Sequence, residues 1–182
     1  MSDKSENSDA AVFRVFSWNI EGWNRNKFNL RSFVDEFSPH LIFLSEPQLF
    51  ACDLSSAFSM FKGSHQCYLN SDDTFCPDLP LITRKPLGST MAVWRQELDP
   101  YVTVLPSTTS AVLPILLAIP GLAQSIHISV YLPTSGRDAE FLSALAALDT
   151  CVQKAKEDFA CPIYLRGDFN VNPKSPSQGK NP

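Results

Sequence analysis

Three short apolar runs in this chain end in the same way, each passing directly into carboxylate and carboxamide side chains. They are Phe16-Ser-Trp-Asn19-Ile-Glu21-Gly22, Ile42-Phe-Leu-Ser-Glu46-Pro47 and Ile163-Tyr-Leu-Arg-Gly-Asp168-Phe-Asn170. Brief runs rich in aromatic and β-branched residues favour buried strands. A sheet built from them gathers its polar ends at one rim, and in α/β sheets ligands collect beyond the strand ends. This pattern constrains the chain to a sheet-based fold with a polar edge.

The remaining periodicity fills in that frame. Strands are predicted over Val12–Trp18, Leu41–Leu44, Thr90–Arg95, Tyr101–Leu105, Val112–Ile119, Ile126–Tyr131 and Ile163–Arg166. Leu30, Phe33, Val34 and Phe37 stand at helical spacing within Asn29–Phe37, and Pro39 ends the pattern. A second helix is predicted over Arg137–Asp158, with Phe141, Leu145, Leu148, Val152, Ala155 and Phe159 on its buried face and Ser135 with Asp138 as a capping box. Phe50 to Gly88 is polar, contains prolines and lacks a clear period, which predicts a long irregular segment that shapes a site. Several strands follow one another without an intervening helix, so a mixed-sheet α/β layered architecture is expected. Residues 1–10 read as a disordered lead, 11–173 as one domain and 174–182 as a polar tail.

Composition narrows the function classes. Hydrophobic residues make up 44% of the 182 residues, enough for a core. The net charge of −4 gives no electrostatic footprint for tight nucleic-acid binding, though an enzyme touching a few phosphates is compatible with it. Five cysteines, odd in number and without a C-x-x-C pair, argue against a disulfide framework or a zinc site and for free thiols in a reducing compartment. The opening residues are polar rather than signal-like, and the apolar stretch Ala111–Ala123 is interrupted by Pro114 and Pro120. An intracellular location, nucleus or cytoplasm, with no membrane association is the expectation.

The three strand ends offer hard oxygen donors suited to Mg²⁺, which takes one or two carboxylates and keeps its remaining waters. Glu46, helped by Glu21, meets that need. Asp168 and Asn170 flank Phe169, so strand alternation puts both polar side chains on the side opposite an inward phenyl ring. Each element alone also reads blandly: Asn19-Ile-Glu21-Gly22 as a turn leaving a strand, Glu46-Pro47 as a solvated strand end, Gly167-Asp-Phe-Asn170 as a tight turn. His40, His65 and His127 are expected to be structural. Trp18, Trp94 and Phe169 are expected in the core, and Arg166 is expected to face solvent.

Taken in order, Ser17-Trp-Asn-Ile-Glu-Gly22, Leu44-Ser-Glu46, Ser129-Val-Tyr-Leu-Pro133 and Gly167-Asp-Phe-Asn170 resemble the successive motifs of the endonuclease/exonuclease/phosphatase superfamily. That group includes exonuclease III-like and DNase I-like nucleases. The resemblance runs from Val12 to Pro173. Gly88-Ser-Thr-Met-Ala-Val-Trp94 and His127-Ile-Ser-Val-Tyr131-Leu-Pro-Thr134 look most like the endonuclease domains of non-LTR retrotransposons. The resemblance implies a DNase I-like layered α/β sandwich of mixed sheets flanked by helices, incomplete at the C-terminus. It implies Glu46 as metal ligand with Glu21 as a metal-proximal acid, Asn19 and Asn170 near the phosphate, and Tyr131 supporting the phosphate or the aspartate. Asp168 would orient or deprotonate the attacking water. The implied cofactor is Mg²⁺ or Mn²⁺ and the implied substrate DNA; RNA, an inositol phosphate or a lipid are alternatives on the same fold. The family's late aspartate and its terminal Ser-Asp-His-like motif are not in this sequence. Weak or absent turnover is therefore expected of it as given, and a catalytically silent remnant or interaction module is the reading from another class.

Overall fold

The computed structural model describes residues 12–61, 63–71, 88–134 and 136–171; the expected lead over 1–10 and tail over 174–182 lie outside the described residues. Along these residues run β1 (Val15–Asn19), α1 (Trp23–Phe37), β2 (Leu41–Ser45), α2 (Leu54–Phe61), β3 (His65–Asn70), β4 (Thr90–Arg95), β5 (Val102–Val104), β6 (Val112–Leu117), β7 (Ser125–Tyr131), α3 (Asp138–Asp158) and β8 (Ile163–Asp168). The strands form two four-stranded mixed sheets, ordered β1-β2-β4-β3 and β5-β6-β7-β8.

The sheets share one pairing plan. In each, an edge strand runs parallel to its neighbour (β1 with β2, β8 with β7), and the other pairs are antiparallel. A parallel pair needs a crossover connection, and α1 and α3 supply it. Strand alternation then sorts the core into three layers. Leu41 and Phe43 of β2 face the other sheet and pack with Trp94, Leu113 and Ile115. Ile42 and Leu44 face the opposite way, against Trp23, Leu30 and Val34 of α1. Ile126, Ile128 and Val130 of β7 meet Ala144, Leu148 and Ala155 of α3. Strands covered on both faces read as continuous apolar runs, and each fully buried Leu or Ile side chain contributes roughly 1.5–3 kcal/mol.

Three expectations need correction. Helix α1 starts at Trp23, ahead of the predicted Asn29, because Trp23 is buried while the polar stretch Asn24–Lys27 hides the period. The segment predicted as irregular contains α2 and β3. The helix is only eight residues long and serine-rich, yet it buries Ala57 and Phe61; β3 alternates with His65 and Cys67 inward, which a hydrophobicity pattern does not reveal. Residues 72–87 of that segment lie outside the described residues.

The third correction concerns α3. Leu145 is 43% exposed, and the buried stripe is Ala144, Ala147, Leu148 and Ala155, with Phe141 and Val152 partly buried beside it. Small alanines allow the helix to approach the sheet closely, so the largest side chains do not define the face. The N-cap is Arg137 and makes no side-chain cap bond; Asp138 is the first helical residue, and Ser135 lies outside the described residues. Trp94 is buried, and Trp18 and Phe169 are partly buried against the core, as expected.

Cys52, Cys67, Cys151 and Cys161 are unpaired, and Cys76 lies outside the described residues. Among the described residues no helix is long and apolar enough to cross a membrane.

Candidate active site

Topology alone brings the predicted site residues to one edge. Asn19 ends β1 and pairs in register with Ser45, the last residue of β2, so Glu46 follows at the same rim. Tyr131 ends β7 and pairs in register with Asp168, the last residue of β8. The two rims coincide, because Asn19 Nδ2 donates to Asp168 Oδ2 at 2.8 Å from one sheet to the other.

Local turns fix these side chains further. The Glu21 backbone N–H donates to Asn19 Oδ1 at 3.1 Å, which leaves the Asn19 amide nitrogen directed at Asp168. The Asn170 backbone N–H donates to Asp168 Oδ1 at 3.1 Å, and Asn170 Nδ2 donates to the Leu132 carbonyl at 2.7 Å. Both oxygens of Asp168 are thus bonded, in an arrangement that suits an anionic acceptor. Asn170 spans β8 and the end of β7 rather than pointing outward.

Tyr131 is 3% exposed, and the Glu46 carboxylate acts on its phenol. Burial first, then the Glu46 side chain and its negative charge, push the Tyr131 phenol well above its ordinary pKa; Asp168 adds in the same direction and Arg137 opposes. The phenol is a neutral donor at any physiological pH. Glu46 is held by its backbone N–H on the Ser89 carbonyl at 3.1 Å, and its own carbonyl accepts from Gly22 at 2.9 Å.

Among the described residues, the non-glycine positions with left-handed backbone are Glu21, Ser38, Glu46, Gln48 and Asn170. Four of these five border the site. Left-handed conformations cost non-glycine residues energy and cluster where surrounding structure holds a functional geometry.

Glu21 is placed differently from Glu46. Its carboxylate is 65% exposed and lies 3.7 Å from Arg25 on the first turn of α1. The donor set at the rim is hard oxygen: the Glu46 and Asp168 carboxylates and the side-chain amides of Asn19 and Asn170. Among the described residues no group of three or more His, Cys, Asp or Glu side chains could enclose a metal. One or two carboxylates without a protein cage fit Mg²⁺, which keeps several waters, rather than zinc.

The histidines lie away from this edge. His40 Nδ1 accepts from the Arg14 backbone N–H at 3.0 Å. His65 is 8% exposed on β3, and His127 is 4% exposed, stacked between Phe43 and Tyr164. Arg166, expected in solvent, is half-buried on β8 with its Nε enclosed, and its guanidinium lies over the Tyr164 ring. Strand alternation explains the placement: Arg166 shares a face with Asp168, the face turned to the opposite sheet.

Gly167, which opens the Gly167-Asp-Phe-Asn170 motif without a predicted role of its own, is structurally indispensable here. Its φ is +133°, and a Cβ would fall 1.9 Å from the Val130 carbonyl oxygen. A glycine set inside an apolar strand, one residue before an acid, is the available signal for such a close backbone approach.

No family model matches the chain, and no curated protein matches it in sequence. Solved structures do match. The human Nocturnin catalytic domain with bound sulfate is 17% identical with a TM-score of 0.63, over 89% of this chain and 65% of that one. The 3′ phosphatase NExo from Neisseria bound to product DNA hairpin is 16% identical with a TM-score of 0.59, over 89% and 59%. D. rerio TDP2 complexed with single-strand DNA product is 18% identical with a TM-score of 0.56, over 87% and 60%. The chain spans about two thirds or less of each of these proteins. Two mixed sheets flanked by helices, with this likeness, give the chain the DNase I-like fold of the endonuclease/exonuclease/phosphatase superfamily.

Proposed function

We propose that the chain is a phosphodiesterase domain that uses Mg²⁺ or Mn²⁺ to hydrolyse DNA phosphodiester bonds. The observation that carries this reading is the bond from Asn19 to Asp168 between the two sheets, at the rim where Glu46 follows β2 and Tyr131 ends β7. Two carboxylates in separate polar settings at one edge suit two tasks, cation binding and proton transfer.

Glu46 would hold the cation, with Glu21 as a further acid on the rim. When bound, the cation supplies positive charge against the phosphoryl oxygens as negative charge builds on them. Asp168 accepts the proton of the attacking water, and its two hydrogen bonds keep the carboxylate aimed. Asn19 and Asn170 orient Asp168 and border the phosphate position. Tyr131, neutral and buried, lies beside the Glu46 carboxylate. The NExo and D. rerio TDP2 structures are complexes with DNA products, which supports DNA for this edge. The motif resemblance to retrotransposon endonuclease domains favours internal nicking.

Supercoiled plasmid incubated with excess protein and Mg²⁺ or Mn²⁺ tests the reading. Nicking, expected to be weak, should stop on chelation and be lost in Asp168→Ala and Glu46→Gln. Equal plasmid conversion by wild type and both variants would overturn the reading, and no conversion by wild type would favour the catalytically silent alternative.

A further inference from the structure

A cleft of about 370 Å³ opens at the end of the β1-β2-β4-β3 sheet remote from the rim, lined among others by Arg31, Asp35, Ser64, His65, Arg95 and Glu97. Its volume lies in the range of ligand-binding clefts. Strand register separates it from the candidate site. His65, the first residue of β3, pairs with Arg95, the last of β4, whereas Asn70 and Thr90 pair at the end that carries Ser45 and Asn19.

The floor of the cleft holds an unsatisfied acceptor. His65 is 8% exposed, and its Nε2 is enclosed without a hydrogen-bond partner among the described residues. Ser64 fixes the tautomer: its hydroxyl donates to the Phe61 carbonyl at 2.6 Å and so accepts from His65 Nδ1–H at 2.9 Å. With the proton on Nδ1, Nε2 presents a lone pair. Burial first, then Arg95 and Arg31, lower the imidazole pKa and keep the ring neutral. Buried polar atoms are almost always bonded, so a donor seated on this floor has a partner waiting.

Two guanidiniums stand beside that acceptor. Arg31 donates through Nη1 to the Met60 carbonyl and through Nε to Asp35, each at 3.0 Å. Arg95 donates through Nε and Nη2 to the carbonyls of Pro39 and Ser38 at 3.1 and 2.6 Å, and through Nη1 to Glu97 at 3.3 Å. These bonds orient both groups and leave each with donors to spare. Asp35 and Glu97 are more than half exposed, which screens them. At the imidazole the effects of Arg95 and Arg31 each exceed those of Glu97 and Asp35, so the field at the floor is positive.

We infer that this cleft binds inorganic phosphate, with Arg31 and Arg95 holding its oxygens and its P–OH donating to His65 Nε2. Planar guanidiniums suit phosphate oxygens. The imidazole acceptor adds a demand for a proton on the ligand. Inorganic phosphate keeps one at neutral pH, sulfate has none, and a phosphate monoester loses its last above about pH 6. Because the cleft lies away from the rim, the inference does not depend on the phosphodiesterase reading.

Titration of the full ¹⁵N-labelled chain in chelator, at pH 7 and constant ionic strength, tests this through the histidine ring resonances. Sodium phosphate should shift His65 Nε2 saturably, and sulfate and glycerol phosphate should bind roughly fivefold more weakly or worse. Arg31→Gln should weaken phosphate binding roughly tenfold. Asp35→Asn removes a competing charge from an exposed position; it should tighten binding about threefold and decides the matter if Arg31→Gln fails to fold. In calorimetry, His65→Phe should bring phosphate down to the level of sulfate. An unmoved His65 resonance, sulfate or glycerol phosphate within twofold of phosphate, or no tightening in Asp35→Asn would overturn the inference.

Discussion

Asn19 donates its side-chain N–H to Asp168 at 2.8 Å where β1 of one sheet packs against β8 of the other. The two groups act as one unit, which makes their mutational effects interdependent. Asn19→Ala should lower the nicking rate on the order of 10²-fold, and adding Asp168→Ala should cost far less than the product of the two single effects. Single-turnover rates of the three variants check this; additive losses would mean that the bond has no part in catalysis.

Gly167→Ala is expected to destabilise the fold by about 3 kcal/mol or more. The new methyl group would have to displace the Val130 backbone, which belongs to the neighbouring strand and has no room to yield. Urea unfolding measures the loss, and a cost below about 1 kcal/mol would show that β7 and β8 separate easily.

The two leucines of α3 should respond differently. Leu148 is 7% exposed and packs in the α3 core, so Leu148→Ala should cost about 2–4 kcal/mol. Leu145→Ala, at a position 43% exposed, should cost about 0.5 kcal/mol. A reversed order in denaturant midpoints would place the helix in a different rotation.

Acid should destabilise the protein through His127. Burial, with Arg166 as a smaller contribution, holds its pKa at about 4 against an ordinary 6.5. The unfolded chain takes up a proton that the folded chain refuses, so stability is lost as pH falls from about 6.5 to about 4. The full loss from this group is at most about 3 kcal/mol. His40 and His65, lowered in the same direction by burial and by Arg95, steepen the upper part of that window. Unfolding free energies at pH 7, 6 and 5 should show the decline, and His127→Gln should flatten it; an unchanged slope would exclude His127 as its source.

How much of this was readable in the sequence depends on what kind of signal each element carries. The strand ends at Asn19, Glu46 and Asp168 announce themselves because an abrupt change from apolar to polar marks both the end of burial and the start of a rim. The mixed-sheet layering followed from strands that succeed each other without helices. The α3 face followed for Phe141, Leu148, Val152, Ala155 and Phe159 but not for Leu145, because close packing on Ala144 and Ala147 depends on helix-to-sheet distance, which hydrophobicity does not encode. Helix α2 and strand β3 were hidden by serines and by the inward His65. Arg166 was misread because a charged side chain enclosed between sheets has no signature one residue from a glycine turn. The pairing of Asn19 with Asp168 is a relation between sheets, and no local pattern contains it.

Asn19 and Asp168 are separated by 149 positions in the chain. Closing so long a loop carries an entropic cost that local contacts do not share, and non-local pairings form slowly. The assembled rim is therefore a reporter of completed folding: a partly folded chain can present Glu46 or Asp168, but not the bonded pair. The candidate site is thereby tied, by connectivity alone, to the completed packing of both sheets.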